Sequence, residues 1–187
     1  MSAVPPTSSR LVVKRGGRAI TRDVPKPLVL IDTREQLPLS FSRFPNWIAG
    51  ERRATLRTGD YTVEGMEGLI ALERKSLEDL VGTLMHRRTV FFAECERLAE
   101  FRWRALLVEA SYEDVKSPYA SEFIAASPNG VSGSLDAVEA KYGIPVIYTS
   151  RDRALAEEKA ASMLSKLFTY WWLEERGLGR VLQEGDL

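Results

Sequence analysis

Two acids, Asp60 and Glu73, and a lysine, Lys75, lie in a stretch that places all three on one surface. It runs Gly59-Asp60-Tyr61-Thr62-Val63, then Glu64-Gly65-Met66-Glu67-Gly68, then Leu69-Ile70-Ala71-Leu72-Glu73-Arg74-Lys75. Alternating apolar residues on both sides of a glycine-bearing segment predict a β-hairpin. A turn centred between Met66 and Glu67 pairs Val63 with Ile70, Tyr61 with Leu72, and Asp60 with Glu73. One face then carries Tyr61, Val63, Ile70 and Leu72 and requires a core. The other carries Asp60, Thr62, Ala71, Glu73 and Lys75. Opposed residues hold their Cβ atoms about 4.5–5.5 Å apart. Two carboxylates so placed repel unless a proton or a divalent cation sits between them. Oxygen-only ligation suits Mg²⁺ or Mn²⁺, and Lys75 beside it would steer or deprotonate a water. Together these are the parts needed for metal-assisted phosphodiester hydrolysis. The plain alternative is a solvated, charged strand face.

The same residues resemble the nuclease core of the XPF family of structure-specific DNA endonucleases, within the restriction-endonuclease-like class. The family motif is Gly-Asp, a variable gap, Glu-Arg-Lys, three residues and Asp, matched by Gly59-Asp60, Glu73-Arg74-Lys75 and Asp79. Upstream, Val29 to Glu35 is similar to the family's first strand and its Asp-x-Arg-Glu sequence, here Asp32, Arg34 and Glu35. Downstream, Arg88 falls where the family has an arginine. Ala105 to Glu109, Ser134-Leu135 and Tyr142 to Tyr148 resemble later elements, so the likeness spans Pro27 to Trp172. Gly82 and Thr83 replace paired serines, Arg87 a glycine and Phe92 a glutamine.

The resemblance implies an α/β fold with a restriction-endonuclease-like core, a mixed central β-sheet flanked by helices. It implies a Mg²⁺- or Mn²⁺-dependent endodeoxyribonuclease that nicks branched, flapped or otherwise structured duplex DNA. Asp60 and Glu73 would bind the metal with Asp32 as third ligand, and Lys75 would act on the attacking water. Arg34, Arg74 and Arg88 would hold phosphates, while Glu35 and Asp79 would orient these basic groups from behind. Strand alternation points Arg74 away from Glu73, which suits packing or salt bridging instead. Two other functions share this fold: a non-catalytic DNA- or partner-binding subunit, and a nickase or resolvase of a mobile element. Family members usually carry a helix-hairpin-helix domain after the core or a helicase before it. With 187 residues there is no room for either, which fits a stand-alone enzyme or one that needs a separate DNA-binding partner.

Composition sets outer bounds. Lys+Arg and Asp+Glu are 26 each, so bulk charge leaves no nucleic-acid footprint, although site acids can mask a local basic patch. A single cysteine, Cys95, excludes an intrachain disulfide, and a single histidine, His86, excludes a His-rich metal site or Ser-His-Asp chemistry. Apolar runs are too short to span a membrane and no signal peptide is visible, which predicts an intracellular protein.

Several elements must position the site. Residues 1–26 form a basic arm, with Pro5-Pro6, then Arg10, Lys14, Arg15, Arg18, Arg22 and Lys26 against one acid. The arm is expected to be flexible or a small hairpin around Gly16-Gly17, ahead of a nuclease domain over 27–187. Leu28 to Asp32 is a buried strand, and Leu37 to Gly50 a turn-rich segment whose Phe41, Phe44 and Trp47 cover the sheet edge. Ser76 caps a helix that begins directly behind Glu73 and Lys75. Arg87 to Arg102 is a second helix, Ala105 to Ala110 a strand, and Tyr112 to Ala126 a loop or short helical segment. Ser127-Pro128 opens a helix that ends at Gly143. Pro145 to Thr149 is the last strand. A closing helix over 152–176 carries Leu164, Leu167, Phe168, Tyr170, Trp171 and Trp172, the place for a homodimer or heterodimer seam.

Overall fold

The computed structural model describes residues 7–15, 18–119 and 125–178. Pro5, Pro6, Gly16 and Gly17 of the arm lie outside the described residues, as do 120–124 of the predicted 112–126 segment. Eight strands and five helices follow in order. They are β1 (Ser8–Arg15), β2 (Arg18–Pro25), β3 (Leu28–Asp32), β4 (Gly50–Ala54), β5 (Tyr61–Val63) and β6 (Ile70–Ser76), then α1 (Leu77–His86) and α2 (Arg88–Leu98). After them come β7 (Trp103–Glu109), α3 (Tyr112–Lys116), α4 (Pro128–Tyr142), β8 (Val146–Tyr148) and α5 (Arg153–Glu175).

A six-stranded mixed sheet, in the order β4-β3-β5-β6-β7-β8, forms the centre. β5 pairs antiparallel with β3 and β6; the remaining neighbours are parallel. The hairpin register pairs Tyr61 with Leu72, as strand alternation predicts. Parallel β6, β7 and β8 need crossovers, which α1–α2 and α3–α4 supply.

Each sheet face buries its own apolar cluster. Val29, Ile31, Tyr61, Val63, Ile70, Leu72 and Leu107 pack against α5 through Ala160, Leu164 and Phe168, and against Leu39, Phe41 and Ile48 of the turn-rich segment. On the other face Ala71, Leu106 and Val108 meet α1, α2 and α4 through Leu80, Phe91 and Leu135. Central strands such as β5 are therefore buried on both sides, and each fully buried Leu, Ile or Phe contributes about 1.5–3 kcal/mol.

Helix ends follow their caps. Ser76 accepts from the Asp79 amide at 3.1 Å, Ser127 precedes Pro128, and Asp152 caps α5. The aromatic face of α5 is turned inward: Leu164 and Phe168 are buried, and Leu167, Trp171 and Trp172 pack on the same cluster. Of the residues expected at a partner seam, only Tyr170, at 44 %, is well exposed. β1 and β2 form a separate two-stranded antiparallel sheet. Val13 and Val24 bury its inner face, and Ser9 Oγ donates to the Asn46 carbonyl at 2.8 Å.

Gly59 enters β5 with φ of +79°, and a Cβ there would lie 3.2 Å from the Leu72 carbonyl oxygen and 3.3 Å from the Ala71 Cβ. Gly65 has the same φ, but a Cβ there would meet nothing within 4 Å. Gly65→Ala should therefore cost only the left-handed strain, about 1 kcal/mol. Gly59→Ala should cost about 1 kcal/mol more, because neither neighbour can move out of the sheet. Urea unfolding of the two variants measures the difference, and equal losses would show that crowding at Gly59 is relieved.

Candidate active site

Asp60, Glu73 and Lys75 line one cavity of about 580 Å³ at the end of the sheet where β3 and β6 finish and β5 begins. Asp60 sits at the start of the antiparallel pair: its amide donates to the Leu72 carbonyl at 2.9 Å and its Oδ2 accepts from the Arg74 amide at 2.8 Å. These bonds bind Asp60 to β6 on either side of Glu73. Lys75 Nζ lies 3.0 Å from Glu73 Oε1 and 3.9 Å from Glu94 Oε2 on α2. The three residues predicted to share a face do so, with Thr83, Phe91 and Cys95 of the helical layer among the surrounding walls.

Burial sets the electrostatics. Burial and the Glu73 charge push the Asp60 carboxyl up to about 7, against the opposing Arg74 amide bond. Burial also raises Glu73, despite the nearby Lys75. Burial alone would lower Lys75, but the Glu73 carboxylate and its hydrogen bond hold the ammonium above its usual value. Lys75 therefore keeps its proton at neutral pH, which fits steering a water and not deprotonating it. Burial pushes the Cys95 thiol up to about 12, which keeps it protonated at neutral pH.

Asp32 is placed differently from the expected third ligand. Its residue is 1 % exposed, and both carboxylate oxygens are already bonded. Oδ1 accepts from the Arg34 amide (2.8 Å) and Nε (2.7 Å); Oδ2 accepts from the Leu56 amide (2.7 Å) and Arg34 Nη2 (3.2 Å). Burial would raise this carboxyl, but those bonds together hold it below its ordinary value. Asp32 thus organises a turn. Among the described residues, no three His, Cys, Asp or Glu side chains converge as a cation cage. The donor set that fits a divalent cation is the Asp60–Glu73 pair, two partly buried carboxylates whose charges repel. Mg²⁺ commonly accepts one or two protein carboxylates, leaving waters and substrate phosphates to complete its shell.

The arginines also divide differently. Arg74 is 8 % exposed, on the opposite sheet face, with its guanidinium 3.1 Å from Glu35 Oε1 and 3.0 Å from Glu109 Oε2. Its guanidinium is engaged by two acids, so the salt-bridging alternative is the one realised. Glu35 orients Arg74, as its expected supporting role requires. Asp79 is exposed, and its side chain makes no ion pair among the described residues; it lines the cavity without orienting a basic group. Arg88 lies outside the cavity, with Nη1 donating to Ser134 Oγ at 2.8 Å and its guanidinium 5.1 Å above the Phe92 ring. Phe92, which replaces the family's glutamine, provides that stacking surface. Arg34 does line the cavity, within the fields of Asp60 and Glu73.

Sequence reasoning missed Arg57, Arg87 and Arg97, which also line the cavity. Arg57 pairs with Glu100. Arg87 and Arg97 are exposed and have no ion-pair partner among the described residues. The Arg-rich spacing around the α1–α2 corner was the available signal.

Residues 31–160 match the ERCC4 domain. The chain belongs to the ERCC4 domain family. XPF from Aeropyrum pernix has a similar fold, with a TM-score of 0.59 at 22% identity over 81% of this chain and 69% of that one. The same protein in complex with DNA gives a TM-score of 0.59 at 23% identity over 77% of this chain and 66% of that one. No curated protein matched the chain. ERCC4 domains belong to structure-specific DNA nucleases, and the mixed sheet flanked by helices is the architecture expected from the motif. Among the described residues, no helix is long and apolar enough to cross a membrane.

Ionising Asp60 inside this site opposes folding. Its folded value, about 7, exceeds the ordinary 3.8 of an aspartic acid, so the folded state binds the proton more tightly and stability falls as pH rises through that window. Asp60→Asn, which keeps an acceptor for the Arg74 amide, should raise the cation-free melting temperature by a few degrees at pH 8, about 1–2 kcal/mol. The gain should vanish near pH 4. Differential scanning calorimetry at both pH values checks it; a gain independent of pH would mean that charge repulsion is not its source.

Proposed function

We propose that this chain is a metal-dependent DNA endonuclease that nicks branched, flapped or otherwise structured duplex DNA. One observation carries the reading: two partly buried carboxylates, Asp60 and Glu73, share an arginine-rimmed cavity with Lys75, whose Nζ lies 3.0 Å from Glu73, in a member of the ERCC4 domain family. The family relation and the DNA complex of the Aeropyrum pernix protein favour DNA as substrate.

Asp60 and Glu73 would hold Mg²⁺ or Mn²⁺, which would supply Lewis-acid polarisation of a phosphoryl oxygen when bound. Lys75 remains an ammonium that neutralises Glu73 and donates hydrogen bonds to a water or phosphate oxygen in the cavity. Its preorganised charge stabilises negative charge as it develops on the phosphate, the kind of fixed electrostatic contact that accelerates such reactions. Arg34 contributes from the rim; its Nη1 has no hydrogen-bond partner among the described residues. Arg87 and Arg97 add two charges for flanking phosphates, in the role first expected of Arg74 and Arg88.

Asp60→Ala and Glu73→Ala should each abolish Mg²⁺- or Mn²⁺-dependent nicking of flap, fork and four-way junction DNA while circular dichroism remains native. Lys75→Ala should slow the single-turnover rate about 100-fold, with Mn²⁺ affinity by calorimetry changed only a few-fold. Cutting retained by both acid variants ends the catalytic assignment. Wild-type protein that binds these DNAs but cuts none would favour a non-catalytic subunit.

Arg87 and Arg97 are tested separately through binding. Their double replacement by alanine should weaken DNA affinity about 10-fold for every substrate and reduce the slope of log K against log salt by about 2. An unchanged slope would place the backbone elsewhere on the surface.

A further inference from the structure

On the sheet face opposite Glu73 and Lys75, charged side chains form a continuous chain of contacts that ends at the turn bearing Arg34. The Arg74 guanidinium lies between Glu35 and Glu109, at 3.1 and 3.0 Å. Glu109, the last residue of β7, places its second oxygen 3.4 Å from Nη1 of Arg153, the first residue of α5. Arg153 Nη2 in turn donates to the carbonyls of Leu37 at 2.5 Å and Pro38 at 2.6 Å. Glu35 accepts from the Leu37 amide at 2.8 Å, which closes the circuit. Residues 35–38 are thus held from β6, from β7 and from α5 at once, directly after Arg34.

Joining these layers does not require charge. Buried ion pairs replaced by well-packed apolar side chains often leave stability unchanged or improved. What apolar contacts cannot do is fix the direction of two carbonyls and a carboxylate in a turn without regular hydrogen bonding. The arginine forks do this, because several donors in one plane define orientation as well as distance.

We propose that Glu109 and Arg153 are positioning residues of the site, Glu109 acting through Arg74 and Glu35 and Arg153 directly on the Leu37 and Pro38 carbonyls, to fix the turn that carries Arg34. The catalytic part of the inference rests on the nuclease reading; the order of the turn is measurable without it. Glu109→Gln and Arg153→Gln should each lower the single-turnover nicking rate about 10-fold, as loss of supporting contacts commonly does, while DNA affinity changes less than about twofold. In an Arg34→Ala background, Glu109→Gln should add less than about a twofold further loss, because both changes remove the same placement. Fully additive losses would overturn the inference, since they would mean that Glu109 acts independently of Arg34.

Hydrogen exchange of the full chain gives the second readout. The Leu37 and Leu39 amides should exchange faster in Arg153→Gln than in wild type, with β3 and β7 amides unchanged. Equal exchange would overturn the inference even if nicking slowed. Should Glu109→Gln fail to fold, the half-exposed Arg153 carries the same test, with an Arg153→Gln and Arg34→Ala cycle in its place. A wild-type chain inactive with either cation would remove the nuclease reading alone, and the exchange result would still decide whether Arg153 orders the turn.

Discussion

A β-strand sends successive side chains to opposite faces, and along β6 this rule divides three consecutive charged residues between two environments. Glu73 and Lys75 face the cavity beneath α2, whereas Arg74 enters the opposite layer between Glu35 and Glu109. A slip of one residue would bury Glu73 and Lys75 against the α5 cluster and turn Arg74 into the cavity. The apolar alternation of Ile70 and Leu72, locked opposite Tyr61, prevents that slip. Register in a short hairpin thus determines both the acid pair and the cation behind it.

Holding two partly buried acids together works against folding, and the rest of the domain offsets it. The sheet centre is buried on both faces by extensive apolar packing, and Asp60 and Glu73 are anchored to it, one just before β5 and the other on β6. Rigidity has a chemical consequence. Carboxylates on flexible loops would move apart to relieve repulsion, whereas the Asp60 amide and Oδ2 are each bonded to β6 backbone and keep the pair together. The repulsion that remains is a preorganised preference for a cation.

The parts of this arrangement that depend on local pattern were legible in the sequence. Alternation predicted the Tyr61–Leu72 register, and Ser76, Ser127 and Gly143 marked helix ends because capping acts over three or four residues. β4 escaped notice because Gly50–Ala54 contains no apolar alternation; it is an edge strand paired through its backbone with β3, and its Arg53 bonds the Asp32 and Glu35 carbonyls. The hydrogen bonds that occupy Asp32 could not be read from its neighbours, because one of them comes from the Leu56 amide, 24 residues away. Arg88 was expected at the site where Arg87 stands, an exchange made by where α2 begins: at Arg88, the helix turns that side chain toward α4. For a related reason the sequence could not show that Leu164 and Phe168 of the α5 apolar face pack on the chain's own sheet. Periodicity shows that a helix has a broad apolar face, but only the tertiary fold decides whether that face meets its own sheet or another chain.

Charge bookkeeping around the cavity explains how a chain of net charge zero suits a polyanion. Arg34 is paired with Asp32, Arg57 with Glu100, Arg74 with Glu35 and Glu109, and Lys75 with Glu73. What these pairs leave unmatched among the described residues is separated by depth: Asp60 at the floor, and Asp79, Arg87 and Arg97 exposed toward the rim. On the proposed reading, a phosphate backbone is attracted to the rim by two cations and repelled from the floor until a divalent ion neutralises the acids there. Binding and bond cleavage then depend on different residues, so loss of either floor acid need not weaken the complex. Neutral composition is therefore compatible with DNA recognition when opposite charges are segregated by position within one cavity.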